Sequence, residues 1–99
     1  MAEHPLAALG KIDPAIMQHL KEIDGLIYAD GALPRKVKLL IAMAFDAAHG
    51  AAKGVQALAA TALQAGATKP EIGEALRVAY HLSGVGALYT ASQGLKELV

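Results

Sequence analysis

Apolar side chains recur every three or four residues near the start of this chain, a spacing that predicts an amphipathic helix. The dipeptide Asp13-Pro14 fits the beginning of that helix, because an acid is a favoured N-cap and proline is favoured in the first turn. We expect the helix to end near Ala29. Its apolar stripe comprises Ile12, Ile16, Leu20, Ile23 and Ile27.

The next helix is expected to begin at Pro34, after a turn with the sequence ADGAL. One apolar stripe along it comprises Val37, Leu40, Ile41, Ala44, Phe45 and Ala48. A second apolar set lies off that stripe and comprises Leu39, Ala42, Met43 and Ala47. A helix that is apolar nearly all round is typically buried, so we predict that other elements surround this one.

Glycines and capping residues divide the rest of the chain into further helices. The first is expected to reach about Ala65, where Gly66 fits a left-handed C-terminal cap. Residues 68–71, TKPE, fit a capping box that begins the next helix, which ends at Ser83-Gly84. A last helix of small residues covers 85–98. The side chains expected to face inward are Val55, Leu58, Ala59, Ala62 and Leu63, then Ile72, Ala75, Leu76, Ala79 and Leu82. The pattern predicts an all-α fold of five to six helices, as one domain over residues 1–99.

The composition adds an expectation about assembly. Hydrophobic residues make up 55% of the chain and charged residues only 18%. A chain of 99 residues has too little interior to hide so much apolar surface. The excess predicts that several copies bury apolar faces against one another, as a homo-oligomer.

The charge pattern argues against nucleic acid and membrane as partners. Nine basic and nine acidic residues cancel, and the one basic run, PRKVK at residues 34–38, fits a solvated first helical turn. The uncharged run over residues 78–95 contains His, Ser, Gln, Thr and three glycines, which suits a bilayer span poorly. With no targeting signal visible, we expect a soluble cytoplasmic protein.

The chain contains no cysteine, which excludes disulfides and every thiol-based mechanism. Its four histidines are scattered without a metal-binding spacing, and His4 and His19 are expected to face solvent. Neither a metal site nor a cofactor is predicted.

Candidate chemistry is concentrated in DAAHGAAKGVQAL, residues 46–58. If one helix runs through it, Asp46, His49 and Lys53 share a face, and the acid could orient the imidazole as a general base while the amine attracts a carboxylate. If Gly50 breaks the helix, residues 51–54 form a helix amino terminus that favours an anion. Solvated caps or interface contacts would explain the same side chains without any catalysis.

Two further features have both a functional and a purely structural interpretation. Gly50 and Gly54 could open a ligand path, although small residues at this spacing also allow close helix packing. Tyr80 and His81 could line a pocket beside His49, and the two imidazoles would then form an acid/base pair. A lone histidine on an apolar helix is also common as a hydrogen-bonded core or interface residue.

Residues 33–91 resemble the carboxymuconolactone decarboxylase and alkylhydroperoxidase D family. The matching segments are LPRKVKLLIAMA leading into HG, then ALQAGATKPEI, then ALRVAYHLSGVGALYTA. The AGATKPEI turn is the more specific part. The resemblance implies an all-helical fold that assembles into dimers, trimers or hexamers.

The functional residues of the family carry over poorly. Its thiol-peroxidase branch has two cysteines and a histidine at the positions of Ala51, Gly54 and Leu58, and a glutamate at the position of Leu39. A peroxide-reducing cycle needs a thiolate and a resolving thiol, so this activity is excluded. The decarboxylase branch also lacks the cysteines but keeps polar and imidazole groups in this stretch. Because this chain has Leu58 in place of the histidine, its residues do not match that branch either.

Three functions therefore remain open. The chain could be an oligomer that has lost the thiol site and binds a small, acidic molecule at an interface pocket; the candidate ligand-binding residues are Lys53, Gly50, Gly54 and Tyr80. The same oligomer could instead act only as an assembly unit. The second hypothesis is an acid/base enzyme acting on a lactone or carboxylate through His49 and His81, with Asp46 as the orienting residue. A partner-binding helical module without a pocket is the third hypothesis.

Overall fold

A computed structural model describes residues 5–99, which contain six α-helices and no strand. The all-α prediction is confirmed. The helices are α1 (Ala7–Ile12), α2 (Pro14–Ile27), α3 (Arg35–Ala48), α4 (Ala52–Gln64), α5 (Lys69–Ser83) and α6 (Gly86–Leu95). His4 lies outside the described residues, and His19 is exposed on α2 as expected. Within residues 5–99, every helix falls short of the length and hydrophobicity needed to cross a bilayer.

The first two helices form an N-terminal helix pair that packs mainly on itself. The Asp13 side chain accepts a hydrogen bond from the Ile16 backbone N–H at 3.2 Å, which confirms the predicted cap of α2. Among the described residues of α1 and α2, none is buried. The apolar stripe of α2 is amphipathic as predicted, yet Ile12 remains 82% exposed and its other members are half-buried or exposed.

The other four helices form a body around one main core. α3 packs against α4, α5 and α6, and α6 in turn packs against α4 and α5. The buried residues of the main core are Met43, Ala47, Val55, Ala59, Ile72, Leu76, Ala79, Ala87 and Ala91. Most of them are alanines, so the helices approach closely and the core holds few large side chains.

α3 is buried on one face, whereas the sequence predicted burial nearly all round. Leu39, Met43 and Ala47, which lie off the main stripe, are buried. On the main stripe, Leu40 and Ala44 are half-buried against the core, but Phe45 is 62% exposed. Within the described part of a single chain, no other element covers the side of α3 that carries Phe45, so the prediction that other elements surround this helix is wrong on that side. The same holds for Leu82 of α5, which was expected to point inward and is 79% exposed.

The connection between α4 and α5 has the predicted local structure. Gly66 adopts a φ of 101°, and the Ala67 backbone N–H donates to the carbonyl of Ala62 at 2.9 Å, which closes the end of α4. The Thr68 backbone N–H donates to Glu71 Oε1 at 2.8 Å, while the Glu71 N–H donates to Thr68 Oγ1 at 3.2 Å. The capping box is confirmed, and it fixes where α5 begins.

Candidate functional site

A cavity of about 900 Å³ separates the N-terminal helix pair from the start of α4. We call it the α2–α4 cleft. Its walls carry both apolar and charged side chains. The lining residues are Pro5, Leu6, Gly10, Pro14, Met17, Gln18, Leu20, Lys21 and Asp24 on one side, and Asp46, Ala51, Lys53, Gly54, Ala57 and Leu58 on the other.

The turn between α3 and α4 places the second wall of the cleft. α3 ends at Ala48, and Gly50 has a φ of 80°, a left-handed conformation that glycine adopts without steric cost. The Ala51 backbone N–H donates to the carbonyl of Asp46 at 2.9 Å, and α4 begins one residue later. The hypothesis of one helix carrying Asp46 and Lys53 on a single face is therefore wrong. The alternative, a break at Gly50 with a helix amino terminus after it, is the observed arrangement.

The side chain of Asp46 and the backbone of Gly54 meet inside the cleft. A Cβ built on Gly54 would lie 2.7 Å from Cγ of Asp46, well inside van der Waals contact. With a side chain at position 54, this carboxylate would have to rotate away from its observed position. The sequence interpretation of Gly54 as a helix-packing residue therefore needs refining, because the group that packs against it is the candidate acid.

Lys53 lies beside this pair at the exposed rim of the cleft. Lys21 of α2 lines the opposite wall. Among residues 5–99 the one ion pair within 4.0 Å joins Lys36 to Glu71, far from the cleft lining, so neither of these lysines is paired with a carboxylate. No side chain caps the amino terminus of α4, so this wall of the cleft combines the Lys53 ammonium with the positive end of a helix, while Lys21 lines the other wall.

Tyr28, just after α2, lies outside the cleft lining but is influenced by two of the cleft carboxylates. Partial burial raises the pKa of its phenol above the ordinary value, the charges of Asp24 and Asp46 raise it further, and Arg35 lowers it in part. The sequence analysis missed Asp24 and Lys21 as cleft residues, because nothing local in the sequence indicates which face of α2 would meet α4.

The two candidate catalytic histidines lie outside this cleft. His49 caps α3, is exposed, and stacks on Phe45 with ring centroids 6.3 Å apart. His81 and Tyr80 are both exposed on α5. None of the hydrogen bonds or ring contacts described for residues 5–99 joins the two imidazoles, and acid/base catalysis through them stays a prediction. In the same part of the chain, no three His, Asp or Glu side chains lie close enough to share a metal ion.

The positions aligned with the thiol site by resemblance do meet in the cleft. Ala51, Gly54 and Leu58 all line it, next to Asp46 and Lys53. Leu39, at the position of the glutamate, is buried in the small core cluster that also contains Ala62 and Ala67. Three of the four positions that the resemblance assigns to reactive groups therefore line the cleft, and this chain has small or apolar residues at all four.

Comparisons with known proteins agree with this arrangement. The model of the carboxymuconolactone decarboxylase family matches residues 14–97. A solved structure, that of apo-lpg0406, a carboxymuconolactone decarboxylase family protein from Legionella pneumophila, superposes with a TM-score of 0.81 at 31% sequence identity. The match covers 92% of this chain and 81% of that one. No curated protein matches the chain. The family model and the shared fold together show that this chain belongs to the carboxymuconolactone decarboxylase family.

Proposed function

We propose that this protein is a self-associating family member that binds a small acidic molecule in the α2–α4 cleft without thiol chemistry. One observation carries the proposal. The cleft brings together the candidate residues Asp46, Lys53 and Gly54 with Ala51 and Leu58, so three of the four positions at which the resemblance places reactive groups line it. This supports a binding pocket at that location in a chain that contains no cysteine.

The lining of the cleft supports a ligand with a carboxylate at one end and an apolar body. Lys21 and Lys53 supply positive charge without a carboxylate partner in the described chain, as an anion requires. Met17, Leu20 and Leu58 supply an apolar wall. The carboxylates of Asp24 and Asp46 disfavour a second negative charge nearby and favour a hydroxyl or amine on the ligand.

Self-association is supported by the apolar surface that a single chain leaves uncovered. Large apolar side chains on both α2 and the outer faces of α3 and α5 remain exposed. Monomeric proteins rarely expose contiguous apolar patches of this kind, so a second copy is the simplest cover. The number of copies, whether two, three or six, is to be read from native mass spectrometry.

Calorimetric titration with small monocarboxylates, dicarboxylates and their methyl esters tests the ligand proposal. We expect saturable binding of an acid, weaker binding of its ester, and a loss of about tenfold in affinity for Lys53→Ala, equivalent to roughly 1.4 kcal/mol. Lys69→Ala is the matched control, because Lys69 is exposed at the start of α5 and does not line the cleft. Equal binding of acids and esters, or no effect of Lys53→Ala, would contradict a carboxylate site.

A further inference from the structure

We propose that the ligand of the α2–α4 cleft is a zwitterion, an α-amino acid with a large apolar side chain. The inference rests on the carboxylate site proposed above and adds the second charged group of the ligand. It follows from the balance and the placement of the four charged side chains that line the cleft, which are Lys21, Asp24, Asp46 and Lys53.

The charges of the cleft lining sum to zero, and the protein does not pair them with one another. Two ammonium groups and two carboxylates line the cleft. Across residues 5–99, none of the four side chains takes part in an ion pair or a hydrogen bond. A ligand that fills the cleft displaces water from all four, and a charge that loses water without gaining an opposite charge is costly. The ligand must therefore supply both a negative and a positive group.

The two carboxylates come from different helices and lie at one end of the cleft. Asp24 belongs to α2 and Asp46 to α3. Both act on the phenol of Tyr28, whose pKa is raised first by partial burial and then by the charges of these two residues. Because such an influence weakens with distance, both carboxylates lie toward the Tyr28 end. A ligand ammonium between them has three N–H donors and can bond to both, whereas a hydroxyl has one donor and leaves the negative charge uncompensated.

The positive groups lie next to this end, as the short distance between the two charges of an amino acid requires. Lys21 precedes Asp24 by three residues on one face of α2, an axial separation of about 4.5 Å. On the other wall, Lys53 is followed by Gly54, and the Asp46 carboxylate lies against the backbone of that glycine. Each wall thus carries a cation beside an anion. Because an α-amino acid carries its ammonium and carboxylate on one carbon, a single head group can meet both walls.

The apolar body of the ligand has a matching surface along the same face of α2. From Lys21 toward the start of the helix, Leu20, Met17 and Pro14 line the cleft. Leu58 of α4 lies on the opposite wall. The charged part of the lining is therefore continued by an apolar part. With a volume of about 900 Å³, the cleft has room for the largest amino acid side chains.

Calorimetric titration of the full chain at neutral pH compares ligands that differ by one charged group. L-Phenylalanine carries both charges, 3-phenylpropionate lacks the ammonium, and 2-phenylethylamine lacks the carboxylate. L-Leucine, 4-methylpentanoate and 3-methylbutylamine form a second series with an aliphatic body. We expect an amino acid to bind about tenfold more tightly than either of its single-charge analogues, because only the zwitterion compensates both kinds of side chain.

Asp46→Asn separates the two charged groups of the ligand, because it removes one carboxylate charge with little change in shape. It should weaken binding of the amino acid about tenfold without weakening binding of the matching acid. Lys53→Ala should weaken binding of both. Glu74→Gln is the matched control, since it also removes one carboxylate charge but lies on α5 outside the cleft lining.

The other outcomes separate this inference from the proposal beneath it. If the acids bind as tightly as the amino acids and Asp46→Asn affects both alike, the cleft is a carboxylate site and the zwitterion inference is wrong. If an amine binds as tightly as its amino acid and Lys53→Ala has no effect, both the carboxylate site and the inference are wrong. If no compound of either series binds, the inference is overturned, and the dicarboxylates of the first titration decide the carboxylate site separately.

Discussion

The carboxylate of Asp46, near the end of α3, lies against the backbone of Gly54 in the first turn of α4. The two residues are eight positions apart and belong to different helices. The turn at Gly50 brings them together, and the missing side chain of Gly54 provides the space. The missing side chain of Gly54 thus allows the candidate acid to occupy its position in the α2–α4 cleft.

Gly54→Ala is expected to stabilise the protein less than alanine does at an unobstructed helical glycine. The new methyl group would overlap the Asp46 carboxylate, which is the end of a side chain and can rotate away at a cost of about 0.5–1.5 kcal/mol. This cost offsets the gain in helix propensity of about 0.5–1 kcal/mol. Urea denaturation should therefore show little change in the free energy of unfolding, while ligand affinity in the cleft should fall as Asp46 moves.

Gly73→Ala is the matched control, since a Cβ at this position in the interior of α5 meets nothing within 4 Å. It should stabilise the protein by roughly 0.5–1 kcal/mol. In an Asp46→Ala background the obstruction is gone, so Gly54→Ala should then behave as Gly73→Ala does. A double-mutant cycle that gave no coupling between positions 46 and 54 would refute the contact as the cause.

Local features of the fold could be predicted because local chemistry determines them. The Asp13 cap, the Gly66 turn and the Thr68–Glu71 capping box each depend on residues within five positions of one another. Such pairs find their partners as soon as a helix forms. The helix boundaries they imply therefore agree with the structure to within a few residues.

The burial of α3 and the composition of the site depend on long-range packing and could be predicted only in part. With apolar residues nearly all round α3, periodicity could not select the face of Met43 over the face of Phe45 as the core side. Asp46 and Lys53 were found because they are close in sequence. Asp24 was missed because it lines the cleft only as a result of how α2 packs in three dimensions. No local sequence pattern predicts that packing.

Gly94→Ala tests the close packing of α6 on α4. Gly94 is buried. A Cβ added to it would lie 2.6 Å from the backbone oxygen of Ala52 and 2.9 Å from Cβ of Val55. Neither neighbour can rotate away, so the helices must separate. We expect a loss of about 1–3 kcal/mol in the free energy of unfolding, measured by urea denaturation. Stability equal to that of the wild type would mean that α6 does not pack against Ala52 and Val55 as closely as these distances require.

Glu71→Gln tests the electrostatic part of the capping box. The backbone N–H of Thr68 and then the Lys36 ammonium, 3.1 Å from Glu71 Oε2, hold the pKa of this carboxyl below its usual range. Because the pKa of Glu71 is lower in the folded than in the unfolded protein, the ionised carboxylate stabilises the fold at pH values above the ordinary glutamate pKa of about 4.3. This stabilisation is lost as the pH falls through the folded-state pKa. The melting temperature of Glu71→Gln should therefore lie below that of the wild type at neutral pH and converge with it in acid.

Glu74→Gln, which alters an exposed carboxylate of α5 outside the capping box, is the control. A difference that is the same at neutral and acid pH would exclude a role for the charge.

Spectrophotometric titration of the three tyrosines tests the link between Tyr28 and the cleft carboxylates. The raised pKa of Tyr28 should give an ionisation phase above the ordinary tyrosine pKa, which Tyr28→Phe removes and Tyr89→Phe, at a 75% exposed position, leaves in place. Because the pKa of Tyr28 is higher in the folded protein, the neutral phenol stabilises the fold fully below about pH 10, and this stabilisation is lost as the pH rises through the folded-state pKa. Asp46→Asn removes one of the charges that raise this pKa, so the Tyr28 phase should move to lower pH, whereas Arg35→Gln should move it higher. A Tyr28 phase that did not respond to Asp46→Asn would show that the charge of Asp46 does not act on this phenol.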